Sequence, residues 1–503
     1  MKNLRIILTI CFGLSAATLV AQSRHYNSAT LGMGGGGTAY VDGYHANFLN
    51  PANLMLQQAN RPKRSLGIVG GLGFRAGGSL LNFGVYNQYL TTGLTINGQV
   101  REDMLNDWFG SNDSNTRELA GTLSIVPFGF SNRGNKMAFS LATRVRTTQD
   151  LTINKGFMEL AFYGFDSGNF SSPVPVNFNY RALSFAEVSV GFAMELPIPL
   201  TGLVEKLPFI NGIKVYAGAA PKYIVGIQST ELDFTSNLTV NSISGATEGS
   251  IVHDFNYSLY TYGEISDQLT AYSNAREIDP DAKLGDFFDY SGSDVGTLGS
   301  GFGLDLGITA ELDVSLPALG FFGKRQILRL SMSMTDLGSV NYNSSPSRVT
   351  AGGIVTIDGD VGDKTPNEYF SDLGDSLQND VYGGFSSEAL SAQKYQLPGM
   401  YNFGAALTLG KLTTTLDYGF GFNDVGTNSK RSALTLGTEY RFFGILPVRF
   451  GTRVGGYSSA TYSAGLGLDL RFLELTFAAS TVANSGENGS SAAVAWSGLL
   501  IRF

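Results

Sequence analysis

Chemistry in this chain would have to come from very few side chains. Three histidines are present, His25, His45 and His253, and none stands at a metal-ligand spacing from another. The one cysteine, Cys11, falls within the first 21 residues, so neither a disulfide nor a thiol centre is expected. Asp358, Asp360 and Asp363 suggest a cation loop, but Gly362 takes the third ligand position and Tyr369 the twelfth. Gly34–Gly37 is a glycine run with no apolar strand before it and no Lys-Ser/Thr after it, which argues against a phosphate cradle. No nucleophile has a recognisable base. The reading is therefore no catalytic residue, no metal, no cofactor and no nucleic-acid partner: a non-enzyme.

The remaining charges of interest lie near the end of the chain, each flanked by apolar residues. Within their own segments Glu439, Arg441, Arg449, Arg453 and Asp469 share the parity of Thr435, Gly451 and Gly467, opposite Leu436, Tyr440, Phe450 and Leu468, while Glu474 stands opposite Leu473 and Leu475, and Arg502 opposite Leu499 and Ile501. Period-two alternation puts the two sets on opposite faces of strands. Seven such segments follow one another from Tyr401 to Phe503, each about ten residues, close to the ~9–11 that a tilted strand needs to cross a bilayer. Soluble strands are nearer ~5–6 residues. An Arg or Lys facing lipid at the midplane costs ~2–4 kcal/mol, so these charges should face a lumen. There they either neutralise one another and hold the interior rigid, or touch a ligand.

Composition agrees with alternation. Of 503 residues, 43% are hydrophobic and only 15% charged, with 64 Gly and 23 Tyr. Yet mean hydropathy is only +0.04, as expected where lipid-facing and lumen-facing residues alternate. No stretch past the start is long and apolar enough for a spanning helix. Residues 1–21 read as a secretory signal: Lys2 and Arg5, an apolar run over Ile6–Val20, and Ala21 before Gln22. The fold expected is all-β, a transmembrane antiparallel barrel over residues 66–503 in the Gram-negative outer membrane, multi-pass, with lipid and the barrel-assembly machinery as partners. Phe503 is its expected assembly signal.

Thirteen strands count back from Phe503. Leu66–Tyr89 makes a fourteenth if it is one long strand, or a fourteenth and fifteenth if it is a hairpin bent at Ala76–Gly78. Short and long connections alternate, which puts the short ones in the periplasm and the long ones outside. The long ones include 231–299 and 341–396, which together carry −15 against −8 for the whole chain. They are expected to be acidic extracellular loops.

Between signal and barrel, residues 22–65 are glycine-rich and lightly charged. Leu31–Leu54 reads LGMGGGGTAYVDGYHANFLNPANL, the Gly and Ala content of a segment packed tightly within a barrel. A glycine-rich start, then Ala39-Tyr40, then Asn50-Pro51-Ala52 before the first strand resembles the plug of the FadL-like long-chain fatty-acid transporters. Gly437–Ser480 is similar to that superfamily's closing strands, and more so to its relatives among type IX secretion outer-membrane proteins. The resemblance implies a barrel of 14 strands with an N-terminal plug at Asn50, Pro51 and Ala52, often passing hydrophobic molecules. Two functions stand open. One is a plugged channel for passive uptake of small hydrophobic compounds, which expects an apolar pocket and a gap or kink in a strand. The other is a scaffold or secretion-system component with a sealed lumen, binding an extracellular or secretion-system protein.

Overall fold

The computed structural model describes residues 27–56, 62–91, 98–165, 168–199, 204, 209–242, 248–279, 281–287, 296–323, 326–360, 385–423, 428, 430–456, 458–482 and 489–503. The signal at 1–21 and Asp363 lie outside them.

Fourteen antiparallel strands form a closed ring. In chain order they are β1 (Arg64–Ile68 and Leu72–Gly78), β2 (Thr116–Ile125 and Phe128–Arg133), β3 (Met137–Asn154), β4 (Phe178–Glu195), β5 (Ile210–Ser242), β6 (Gly299–Val314) and β7 (Gln326–Tyr342). They continue as β8 (Met400–Leu409), β9 (Leu412–Gly421), β10 (Ala433–Phe442), β11 (Leu446–Gly455), β12 (Ser458–Asp469), β13 (Leu473–Val482) and β14 (Ser490–Trp496 and Leu499–Arg502). Each bonds to its successor. The ring closes where β14 returns to β1, with Ser65 opposite Arg502 and Leu72 opposite Trp496. Closure leaves no edge, the condition for β-structure in hydrocarbon.

Alternation sets which face meets what. On β10, Leu434 and Leu436 are 44% and 50% exposed while Thr435 and Glu439 between and beyond them are 0% and 1%. Phe450, Tyr462, Leu466 and Phe477 are likewise exposed, and Arg449, Asp417 and Asn402 buried. Apolar residues face out and polar residues in, the reverse of a water-soluble protein. The chain is an outer-membrane β-barrel.

Connections of two or three residues join β2–β3, β8–β9, β10–β11 and β12–β13 at the end of the ring where Arg64 and Arg502 lie. Gly410, at φ +60, makes the tightest of them between Leu409 and Leu412, in a left-handed conformation that glycine adopts without a Cβ penalty. The connections of 196–209 and 315–325 lie at that end too; the longest connections lie at the other end, where β11–β12 turns in two residues.

The structure revises two sequence expectations. Leu66–Tyr89 is not one strand throughout. β1 ends at Gly78 (φ +135), where a Cβ would overlap the Glu118 carbonyl, and Phe83–Leu90 is helical behind an Asn82 cap that accepts from Val85 N at 3.1 Å. The acidic connections are also more than loops. β5 runs on for 33 residues, far beyond a bilayer crossing, and its distal half pairs with Glu248–Thr261, which pairs with Ser347–Asp360. This outer sheet packs Leu238, Ile251, Phe255 and Val355 against Phe165 and Phe170. Gly263–Ile278, a helix, lies beside it.

His253 sits in that sheet among the rings of Phe234 and Phe255, and burial pushes its imidazole down to about 4. The unfolded side chain titrates near ~6.5, so stability is complete above that pH and falls as pH drops toward 4, by on the order of 3 kcal/mol. Hydrogen exchange over 248–261 should therefore lose protection between pH 7.5 and pH 5. His253→Leu should abolish that difference. Equal protection at both pH values, corrected for intrinsic exchange, would rule the effect out.

Candidate functional site

The inside of the ring is filled by the chain's own residues 27–56. A short helix, Ser28–Gly32, starts on Asn27, whose side chain accepts from Thr30 N at 2.8 Å. The glycine run follows, with Gly34, Gly35 and Gly37 all at positive φ. Here backbone meets backbone: a Cβ on Gly451 of β11 would overlap Gly34 N, and one on Gly437 of β10 would lie 2.6 Å from Met33. Thr38 N then donates to the Asp417 carboxylate of β9 at 2.8 Å.

Two 3-10 turns complete the segment, Gly43–Phe48 and Pro51–Met55. Asn50 caps the second, accepting from Ala52 N at 3.2 Å, with Pro51 at the first position, where no N–H is needed. Its amide donates to Thr38 O at 2.9 Å and Thr309 Oγ1 of β6 at 3.0 Å. Asn50, Pro51 and Ala52 thus lie against the inner faces of β5 and β6, where Gly218 and Gly307 leave room for them.

Two clusters of buried charge flank the segment. The first holds six of the seven charges singled out from the sequence. Glu439 accepts from Arg449 Nε and from Arg441 Nε, both at 2.7 Å, and from the Tyr40 hydroxyl at 2.5 Å. Arg441 also pairs with Asp469, Asp469 with Arg502 at 3.0 Å, and Arg502 with Glu474. Three cations thus meet three carboxylates. Arg453 is buried on the inward face of β11.

The sequence reading missed the second cluster. Arg144 and Arg146 of β3, Glu187 of β4, Lys222 of β5, Asp305 of β6 and Asp336 of β7 converge in the interior. Lys222 Nζ lies 2.5 Å from Asp336 and 2.7 Å from Asp305. Arg144 reaches Glu187 at 2.7 Å, and Arg146 reaches Asp336 at 2.8 Å. This set too is three against three. Phe48 of the inner segment covers it, its ring 4.1 Å from the Arg144 guanidinium. The signal was present: Arg144 and Arg146 share one parity with Ala142 and Thr148. Each partner stands alone on its own strand, however, so no local motif joins them.

The strand ladder of the wall is breached at one level, where Val69 N donates to Pro127 O at 2.9 Å and Val126 N to Gly71 O at 2.8 Å between β1 and β2. β1 is interrupted over 69–71, β2 over 126–127 and β14 over 497–498. These interruptions are neighbours: Ile68 faces Phe128 and Leu499, while Leu72 faces Ile125 and Trp496. Val69 (φ +49) and Gly498 (φ +67) turn the backbone, and Pro127 brings no N–H to the ladder. The breach is filled from within. Tyr44 donates to Gly70 O at 2.8 Å, and its ring occupies space that a Cβ on Gly67, Gly70 or Gly129 would need. A Cβ on Gly71 would lie 3.1 Å from the His45 ring. A cavity of about 90 Å³ adjoins these two residues, bounded also by Ser131, Glu474 and Arg502 and reaching Lys63 and Arg64 at the rim. Its lining is as much polar as apolar, unlike the apolar pocket expected of a transporter. Among the described residues no group of three or more His, Cys, Asp or Glu is placed to hold a metal ion.

Solved structures with similarity include the Pseudomonas putida toluene transporter TodX, 10% identical over 95% of this chain and 99% of that one, TM-score 0.43. The Ralstonia pickettii toluene transporter TbuX is 13% identical over 95% and 99%, TM-score 0.41. A Pseudomonas aeruginosa FadL homologue is 10% identical over 96% and 100%, TM-score 0.42. No curated protein matches the chain. A family model described as a family of unknown function (DUF5723) matches residues 56–480, from the end of the inner segment to β13. The chain therefore belongs to the DUF5723 family of unknown function, as an outer-membrane β-barrel.

Proposed function

We propose that the barrel is a plugged channel for passive uptake of small hydrophobic compounds, with residues 27–56 as the plug and the breach as its lateral door. The observation that carries this reading is the alignment of three strand interruptions at one level, filled by Tyr44 with His45 beside it. A hydrophobic solute lowers its free energy on leaving water for lipid, so a door in the wall needs no pump. Tyr44 closes the door with one hydrogen bond and a ring that the barrel surrounds with glycine.

Tyr44→Ala should raise toluene permeation into proteoliposomes several-fold above wild type. Tyr44→Phe, which keeps the ring, should lie between them. Heat-modifiability checks that each variant is folded. Permeation by folded Tyr44→Ala no faster than through protein-free vesicles would sink the proposal.

A second reading rests on a different observation. The interior is crossed by paired charges, and the outer sheet stands clear of the membrane as an ordered surface. This favours a non-transporting scaffold or secretion-system component that binds an extracellular protein. Crosslinking from the face of Ser347–Asp360 in intact cells separates the two, since a channel needs no stable partner there.

A further inference from the structure

The short-turn rim has a composition that folding does not explain. Phe209, Phe321, Phe443, Phe472 and Phe503 are 45% to 83% exposed there, one on each of five connections or chain ends around the ring. Phe443 sits at φ +52, where glycine or asparagine would be unstrained and a bulky residue is an outlier. Its ring is 83% exposed, so it contributes little to the protein's own packing. Lys63, Arg64, Lys136, Lys411 and Arg471 are exposed at the same end. Among the described residues, Asp313 is the exposed acid of this rim. The opposite end carries the acidic insertions, so the molecule is electrically polarised along its axis.

We infer that this rim binds the headgroups of anionic phospholipid in the leaflet it contacts, with the phenylalanines set into the adjoining acyl boundary. Rings at a membrane interface place an apolar body in lipid, and cations beside them meet phosphate. Charge complementarity selects an anionic partner. Geometry selects lipid over protein: a protein partner needs a compact patch of roughly 800 Å², whereas these residues are spread around the circumference, as a planar interface would meet them. Lys63 donates to Asn135 at 2.9 Å and, as an ammonium, has two further protons to offer. The lipid contact stands or falls independently of transport.

The test uses the full purified chain in detergent with added phosphatidylglycerol or phosphatidylcholine of matched acyl length, and native mass spectrometry as readout. Wild type should retain phosphatidylglycerol about tenfold over phosphatidylcholine at low salt, and the preference should shrink as salt screens it. The combined variant Lys63→Gln, Lys136→Gln, Lys411→Gln, Arg471→Gln should bring the ratio within about twofold. Phe443→Ala with Phe472→Ala should lower retention of both lipids alike. These exposed substitutions leave the interior untouched, and heat-modifiability confirms folding. Equal retention of the two lipids by wild type would overturn the inference. So would an unchanged preference in the combined variant, or tight binding of soluble polyglutamate without any phosphatidylglycerol preference, which would point to an acidic protein instead.

Discussion

Lys222→Met is expected to destabilise the folded barrel by about 3–5 kcal/mol, the cost of removing one partner from a buried charge cluster. The lysine lies 2.7 Å from Asp305, and it shares Asp336 with two arginines. Without it, three buried carboxylates face two guanidiniums. Methionine fills most of the volume, so the loss reports charge more than cavity. Urea titration of folding into vesicles measures it. The double variant Lys222→Met with Asp305→Asn restores the balance at two against two and should recover more than half of the lost stability. If the single change costs under about 1 kcal/mol, as an exposed pair would, or the double change is merely additive, the six residues do not act as a balanced unit.

Gly451→Val is expected to expel the inner segment while leaving the ring closed. Overpacking a core usually costs ~1–3 kcal/mol because side chains rotate away. Here the Cβ meets Gly34 N and the Met33 carbonyl carbon, and backbone atoms have no rotamer to change. Strain of this kind is relieved by moving the whole segment. Proteinase K should then cut within residues 31–56, which are buried in wild type apart from the half-buried Asp42 and Gly43, while the barrel remains resistant and heat-modifiable. Gly212→Val is the control, since a Cβ there meets nothing within 4 Å. A protected segment in folded Gly451→Val would show that the close approach imposes no such constraint.

Particular residues show where the sequence could be read and where it could not. From β8 to β14 each strand is close to one bilayer crossing, so parity read from Tyr401 onward matches the exposed and buried sets along Leu434, Leu436, Tyr440 and Phe450. The ring closes at fourteen, one of the two counts open from the sequence. Toward the N-terminal half, strands outrun the membrane. Phe234, Leu238 and Val240, then Ile251, His253 and Phe255, alternate as clearly as any membrane strand, but acidic neighbours gave the region the look of solvated loop. The charges on β10 to β14 were visible because six of them lie on neighbouring strands close in sequence. Arg144, Glu187, Lys222, Asp305 and Asp336 come together only once five strands are set in register. The breach was less legible still, since it depends on three interruptions meeting across the β1–β14 seam.

The inner segment ends at Leu56 and β1 begins at Arg64, with seven residues between them. Those seven residues join the two covalently. A segment so joined, once displaced as in Gly451→Val, would stay with its barrel, and its return would be a unimolecular step at an effective concentration on the order of millimolar. The balance between seated and displaced segment in that variant would then be a property of each molecule, set by the packing around Gly34, Tyr44 and Asn50. It would not change with how many copies the membrane holds.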